Sequence, residues 1–225
     1  MANLFFLVEG DTEEDFINKI LAQYYQNKHF ISVTKVPNKR NSHKRFEKGG
    51  TISYKTCVDV CNRFLRTVSN ADRVILLLDY YGLHDTFIQI DRNLPKEVYA
   101  VTAKIQERLE KEINDKRFKF HLQLHEYESM LFSDVDVFGS YFQGQNQEQL
   151  AAIIWQFDDL PEMINNHKDT APSKRIDQLF GKTFSKKIDG VGIVDRIGIP
   201  KIREKCPHFN SLCELLDQLP PSEGL

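Results

Sequence analysis

A chain of 225 residues can enclose one full-sized hydrophobic core, so its length does not require two domains. Its 41% hydrophobic and 28% charged residues exclude general disorder. A net charge of −2 excludes a simple DNA-coating protein, which would be strongly basic. No apolar run approaches the roughly 18–20 residues that cross a bilayer, and the short N-terminal run is followed at once by acids, unlike a signal peptide. We therefore expect a cytoplasmic protein with no membrane segment.

Strands and helices alternate along the first part of the chain. Short apolar runs predict strands at residues 3–8, 31–36, 74–78 and 118–124. Helical spacing of apolar residues predicts helices at about 12–24, 51–65, 98–114 and 125–132. Strands separated by helices predict a mainly parallel sheet flanked by helices, an α/β fold. We expect this α/β core to span residues 1–142, with a helical C-terminal extension over residues 143–225.

Acidic residues follow three of the predicted strands directly. Glu9 follows the first strand, Asp79 follows five consecutive aliphatic residues, and Glu126 and Glu128 follow the fourth strand. The carboxyl ends of parallel strands meet at one edge of a sheet, and binding groups gather there. We expect these acids, which are distant in sequence, to form one site.

Glu9 and Asp79 are the leading candidates. A carboxylate at the end of a buried strand is costly to desolvate unless it is paired or bound to metal. Gly10 lets the chain turn sharply, which places Glu13 in the first helical turn, near enough to share a metal ion with Glu9. The alternative for Asp79 is an ordinary turn or capping aspartate. For the acids Asp11, Glu14 and Asp15 we favour simple stabilisation of the helix dipole.

The segment after the fourth strand leaves more than one interpretation open. Glu126 is the better ligand, whereas His125 and Glu128 fit a ligand, a partner of a ligand or a structural hydrogen bond equally well. Asp134 and Asp136 indicate a turn or helix start, with a role as outer metal ligands as the alternative. A set of carboxylates with few histidines suits one or two Mg²⁺ or Mn²⁺ ions better than Zn²⁺. The metal ligands predicted in this way are Glu9, Glu13, Asp79, Glu126 and Glu128.

Basic residues near such a site would hold the phosphates of a nucleic acid. Lys174 is the candidate for neutralising charge in a transition state, and Arg175 lies beside it. The remaining candidates are in the long loop after the second strand: Lys39, Arg40, Lys44 and Arg45. For each of these residues a solvated surface position is the alternative. The four cysteines lack the spacing of a zinc site and indicate buried, reduced thiols.

These motifs resemble those of a TOPRIM-type domain, the fold shared by primases, topoisomerases and nucleases of the overcoming-lysogenization-defect class. Residues 7–13, LVEGDTE, match the first acidic motif, and residues 76–82, LLLDYYG, match the second in part. Tyr81 stands where that pattern has a second aspartate, so one ligand has to come from elsewhere, for which Glu126 or Glu128 is available.

Nearly the whole chain also resembles an uncharacterised TOPRIM-like bacterial family with a domain of unknown function. That resemblance runs through the segments GGTISY at 49–54, LQLHEYESMLFS at 122–133, TAPSKR at 170–175 and CPHF at 206–209. It implies a role in bacterial defence beside a partner ATPase.

We expect a Mg²⁺-dependent nuclease or a related phosphodiester-processing enzyme, with Glu9 and Asp79 at its centre. One alternative is a non-catalytic subunit that binds a partner ATPase or nucleic acid. Another is a small-molecule phosphatase with Asp79 as covalent nucleophile. The sequence contains no GxxxxGK[ST] loop, which excludes a self-contained P-loop ATPase.

Overall fold

A computed structural model describes residues 1–36, 52–89, 95, 97–164, 167 and 169–220. It has a sheet of four parallel strands, and each predicted strand is confirmed with small changes at its ends. The strands are β1 (Ala2–Val8), β2 (His29–Lys35), β3 (Arg73–Asp79) and β4 (Phe118–Gln123). Their spatial order is β2-β1-β3-β4. The prediction of an α/β fold with a mainly parallel sheet is therefore confirmed.

Helices connect the strands and make up most of the chain after β4. Before β4 they are α1 (Asp11–Phe16), α2 (Ala22–Tyr24), α3 (Tyr54–Thr67), α4 (Asp85–Gln89) and α5 (Val98–Ile113). A π-helical turn, Ile17–Leu21, joins α1 to α2. After β4 they are α6 (Val135–Tyr141), α7 (Gln147–Trp155), α8 (Pro172–Phe180), α9 (Val191–Ile197), α10 (Ile199–Lys205) and α11 (Pro207–Asp217). The predicted helix at 125–132 is instead a 3-10 segment, Tyr127–Ser133.

The two faces of the sheet pack against different groups of helices. Leu7, Leu76 and Leu122 belong to the buried cluster shared with α3 and α5. Phe6 and Leu77 belong to the cluster shared with α1 and with helices α6 to α11. Burial on both faces explains why these strands read as continuous apolar runs. The helical C-terminal part is confirmed as a set of helices; its boundary at residue 143 stays a prediction.

Side chains satisfy the outer edge of β4. The N–H groups of Phe120 and Leu122 donate to Glu110 Oε1 and Gln106 Oε1 of α5, both at 2.9 Å. The Leu122 carbonyl lies 3.0 Å from His208 Nε2 of α11. An exposed strand edge invites pairing with other chains, and these contacts remove that risk for β4.

Two further expectations concern the side chains and the membrane. The four cysteines are confirmed as free, buried thiols. Across the described residues, no helix combines the length and the apolar character that a membrane span requires.

Candidate active site

The predicted acids meet at the carboxyl edge of the sheet. Asp79 is the last residue of β3 and pairs in register with Gln123 of β4. Glu9 comes directly after Val8, whose partner in β3 is Leu77. The pairing of β3 with β4 continues past Asp79, because the N–H groups of Tyr80 and Tyr81 donate to the carbonyls of Gln123 and His125 at 2.9 and 2.7 Å. Because of this continued pairing, residues 125–128 lie near Asp79, at the carboxyl edge of the sheet.

Asp79 lies at the centre of the negative charge. Burial raises the pKa of the Asp79 carboxyl group, and the nearby carboxylates of Glu13, Glu128 and Glu126 raise it further. Lys186 opposes this effect without overcoming it. These acids come from three separate segments of the chain and therefore repel one another at this point.

Glu9 and Glu13 form the side of the site that follows β1. Burial, and then the charge of Glu13, raises the pKa of Glu9 from 4.5 to about 7. Burial and the charge of Glu128 raise the pKa of Glu13, while backbone N–H groups of Glu13 itself and of Gly10 favour its ionised form. A Cβ atom at Gly10 would lie 2.4 Å from Glu13 Oε2, so the glycine makes room for this carboxylate.

Lys186 is a residue that the sequence analysis missed. Its Nζ lies 2.6 Å from Glu128 Oε1, and 47% of the Lys186 side chain is exposed against 6% for Glu128. Burial alone would lower the pKa of Lys186, but the carboxylates of Glu128, Glu126 and Asp79 outweigh it and raise that pKa. Lys186 begins a π-helical turn, Lys186–Gly190, for which no sequence pattern gave a signal.

A second ionic cluster holds that turn against the rest of the site. Asp11 of α1 accepts hydrogen bonds from Lys187 and from Lys35 of β2, the latter at 2.7 Å. The two lysines hold the pKa of Asp11 at about 2, well below its usual range. Asp11 therefore links α1 to β2 and to the π-helical turn, in addition to the helix-dipole role expected from the sequence.

Glu126 is engaged by α8. Its Oε2 accepts the N–H of Ser173 at 2.8 Å, and its Oε1 accepts the Ser173 hydroxyl at 3.0 Å. Burial and the charge of Glu128 raise the pKa of Glu126, and the contacts with Ser173 partly offset this rise. The buried carboxylate thus fastens the end of β4 to the first turn of α8.

The two basic residues after Ser173 have partners within the helical part of the chain. Lys174 Nζ lies 3.6 Å from Asp177 Oδ2, one turn further along α8. Arg175 donates from Nε to the carbonyl of Thr170 at 2.8 Å, and its guanidinium carbon lies 5.2 Å from the centre of the Phe157 ring. Their roles in catalysis and in binding nucleic acid stay predictions. The other basic candidates lie outside the described residues: Lys39, Arg40, Lys44 and Arg45.

The remaining polar candidates have structural positions. His125 adopts a positive φ of 59°, and burial lowers its pKa to about 4. Asp134 caps α6, because its Oδ1 accepts the N–H groups of Asp136 and Val137 at 3.1 and 3.0 Å. The predicted helix start at Asp134 is therefore confirmed.

The donor set fits a hard divalent cation in its chemistry, since Glu9, Glu13 and Asp79 offer only carboxylate oxygens. Within the described residues, however, no three side chains of ligand type are arranged to hold a metal ion as they stand. Glu126 and Glu128 already have partners in Ser173 and Lys186. A bound cation would therefore require side-chain rearrangement, above all at the Glu128–Lys186 pair.

Comparisons with known proteins give a family. No curated protein matches the chain. Among solved structures, the C-terminal region of the Xanthomonas campestris pv. campestris OLD protein is similar, with a TM-score of 0.37, 17% sequence identity and 95% of each chain covered. The family model described as "Domain of unknown function (DUF4276)" matches residues 8–217. The chain belongs to this DUF4276 family.

Proposed function

We propose that this protein is a Mg²⁺-dependent phosphodiester hydrolase that acts on nucleic acid. The observation that carries the proposal is the excess of carboxylates at one edge of the sheet. The charges of Glu13, Glu128 and Glu126 act on Asp79, and Lys186, which opposes them, leaves the pKa of Asp79 raised. Repulsion between these carboxylates lowers the stability of the fold unless a cation offsets it. Clusters of like charges with shifted pKa values are common at functional sites.

Glu9, Glu13 and Asp79 would hold the ion, with Glu128 joining them once Lys186 moves away. When bound, Mg²⁺ supplies polarisation of a phosphoryl oxygen and activation of a water molecule. Burial and the charge of Glu13 raise the pKa of Glu9 to about 7, and a cation bound beside Glu9 would lower that pKa and keep the carboxylate ionised as a ligand. Glu126 keeps its contact with Ser173 and fixes the segment that carries Glu128.

Lys186 is better positioned than Lys174 to stabilise negative charge on a phosphate. Its ammonium group already contacts a carboxylate of the site, whereas the ammonium group of Lys174 pairs with Asp177. A half-exposed lysine can turn from Glu128 to a phosphate without a change in the backbone. The setting in bacterial defence and the partner ATPase rest on the family resemblance alone and are part of the proposal.

The nuclease assay compares wild type, Asp79→Asn and Glu148→Gln, purified in parallel, on single- and double-stranded DNA and RNA. Glu148 is an exposed acid of α7 and serves as the control for loss of one carboxylate. We expect cleavage in Mg²⁺ or Mn²⁺ by wild type and Glu148→Gln, and none by Asp79→Asn or in EDTA. Equal cleavage by Asp79→Asn would contradict the assignment and indicate a contaminating nuclease.

Binding of the ion can be tested without a substrate. Millimolar Mn²⁺ is expected to raise the Tm of wild type and Glu148→Gln, because a ligand that binds only the folded state stabilises it by mass action. Asp79→Asn is expected to lose most of this rise. A rise that is the same in all three proteins would place the ion elsewhere.

A non-catalytic subunit is the second candidate. It is favoured by the pairing of Glu126 and Glu128 with residues of the chain itself and by Tyr81 at the position of a second aspartate. This candidate predicts no rise of Tm in Mn²⁺ and a stable complex with an ATPase. The phosphatase alternative is weaker, since a carboxyl group with a raised pKa among other acids is a poor nucleophile toward an anionic phosphate.

A further inference from the structure

A small cavity lies directly beneath the carboxylates, between the sheet and the helices that cover it. It leaves about 10 Å³ for the centre of a water molecule. Four polar side chains line it, those of Glu13, Asp79, Gln123 and Tyr127. The rest of its wall is apolar and comes from Phe16, Leu77, Met130 and Phe209.

Two of the polar side chains carry atoms without a partner. Gln123 is 2% exposed, and neither its Nε2 nor its Oε1 meets a hydrogen-bond partner in the described part of the chain. Tyr127 is 3% exposed, and its hydroxyl group is in the same situation. The His121 ring lies beside the Gln123 side chain and can donate to its Oε1: the Gln123 side chain raises the pKa of His121 against the larger effect of burial, although the contact falls outside strict hydrogen-bonding geometry. Buried polar atoms of this kind are rare in native proteins, because each costs free energy when it is unsatisfied.

We propose that this cavity binds one water molecule, which Gln123 and Tyr127 hold against the carboxylates of Asp79 and Glu13. The volume is at the lower limit for a single water, and two to four polar partners are what such a water requires. The water accepts from the Gln123 amide and the Tyr127 hydroxyl and donates to the two carboxylates. The space is about 10 Å³, which holds one water molecule but is too small for a Mg²⁺ ion that keeps several of its own water molecules.

The water fixes Asp79 and Glu13 from the interior of the protein. Gln123 and Tyr127 are then positioning residues for the carboxylates that would hold the proposed Mg²⁺. This second step rests on the proposed function, whereas the water site does not. The two can be tested apart.

Tyr127→Phe distinguishes a bridged hydroxyl from an orphaned one by the sign of its effect. If water satisfies the hydroxyl, its removal is expected to lower the Tm by about 2–4 °C in EDTA. If the hydroxyl is unsatisfied, its removal leaves the Tm unchanged or raises it, which would overturn the proposal. Gln123→Met is expected to lower the Tm as well, and the double variant is expected to lose less than the sum of the two single losses, since one water serves both side chains.

Two control variants show how the Tm changes when a buried hydroxyl group with a partner, or without one, is removed. Tyr25→Phe removes a buried hydroxyl that does have a partner, the Cys213 carbonyl at 3.2 Å, and is expected to lower the Tm. Ser129→Ala removes a buried hydroxyl that has no partner within the described residues and is not part of the cavity wall, and is expected to leave the Tm unchanged or higher.

The positioning role has its own measurement, the apparent Kd for Mn²⁺. We expect it to weaken severalfold in Tyr127→Phe and to stay at the wild-type value in Tyr25→Phe. An unchanged Kd in Tyr127→Phe, beside a lowered Tm, would overturn the positioning role and leave the water site in place. If wild type itself binds no Mn²⁺, the proposed function fails, and the sign of the Tm change still decides on the water.

Discussion

Replacing Glu9 by Gln should stabilise the metal-free protein by an amount that grows from pH 4.5 and is complete above about pH 7. The pKa of Glu9 rises from 4.5 to about 7 on folding, chiefly because the side chain is buried. At about 1.4 kcal/mol for each pKa unit, this rise corresponds to roughly 3 kcal/mol of lost stability when Glu9 is ionised. Glu9 is partly exposed, so solvent screening reduces the penalty to about 1–2 kcal/mol.

The direction of the pH dependence follows from where the proton binds. Between pH 4.5 and about 7 the folded state holds the Glu9 proton more tightly than the unfolded state, so stability falls as the pH rises through this window. Below it both states are protonated, and above it both are ionised. Glutamine has no such penalty, so Glu9→Gln should gain nothing near pH 4 and the whole 1–2 kcal/mol above pH 7.5.

Thermal unfolding in EDTA at pH 4 and pH 8 measures the effect. For a protein of this size the gain at pH 8 corresponds to roughly 2–8 °C in Tm. Glu148→Gln, the exposed control, should match wild type at both pH values. An equal gain at both pH values, or a lower Tm at pH 8, would refute the argument that burial holds the Glu9 proton.

Two other substitutions test the surroundings of the site. Lys186→Met removes the cation that contacts Glu128 and should cost about 1–2 kcal/mol of stability at pH 7, measured by thermal unfolding. Lys187→Met should cost less, because its ion pair with Asp11 is exposed. An equal loss in the two variants would argue against a special role for Lys186. Gly10→Ala should displace the Glu13 carboxylate, because the new Cβ would lie 2.4 Å from its Oε2. The substitution should at least halve the Tm rise that Mn²⁺ gives and change the metal-free Tm by less than about 2 °C. A full Mn²⁺ response would mean that Glu13 is not a ligand.

The sheet and the first set of acids could be predicted from the sequence for the same physical reason. A parallel strand that is buried on both faces leaves a continuous apolar run, as in residues 74–78, and the residue that follows it has to lie at the sheet edge. Glu9 and Asp79 were found in this way. The rule needs only the chain order of strands and helices, so it does not depend on side-chain detail.

The partners of Glu126 and Glu128 could not be predicted by the same route. Lys186 reaches Glu128 from a π-helical turn, and Ser173 reaches Glu126 from the first turn of α8. Both contacts depend on how short helices dock against one face of the sheet, and no periodicity in the sequence encodes that docking. Glu162 is a further example, because it accepts the N–H groups of His208 and Phe209, both at 2.8 Å, and so caps α11 from a distant segment.

The placement of Lys186 gives the C-terminal helices a part in the site itself. The sheet supplies Glu9 and Asp79, but on their own these acids would be a cluster of like charges with no internal counterion. The turn that carries Lys186 is held to α1 through Lys187 and Asp11, so the lysine is fixed beside the carboxylates by contacts that are separate from them. A cation that entered the site would compete with Lys186 for Glu128 and free the ammonium group for an incoming phosphate. If the proposed function holds, binding of metal and binding of an anionic substrate would be coupled through Lys186.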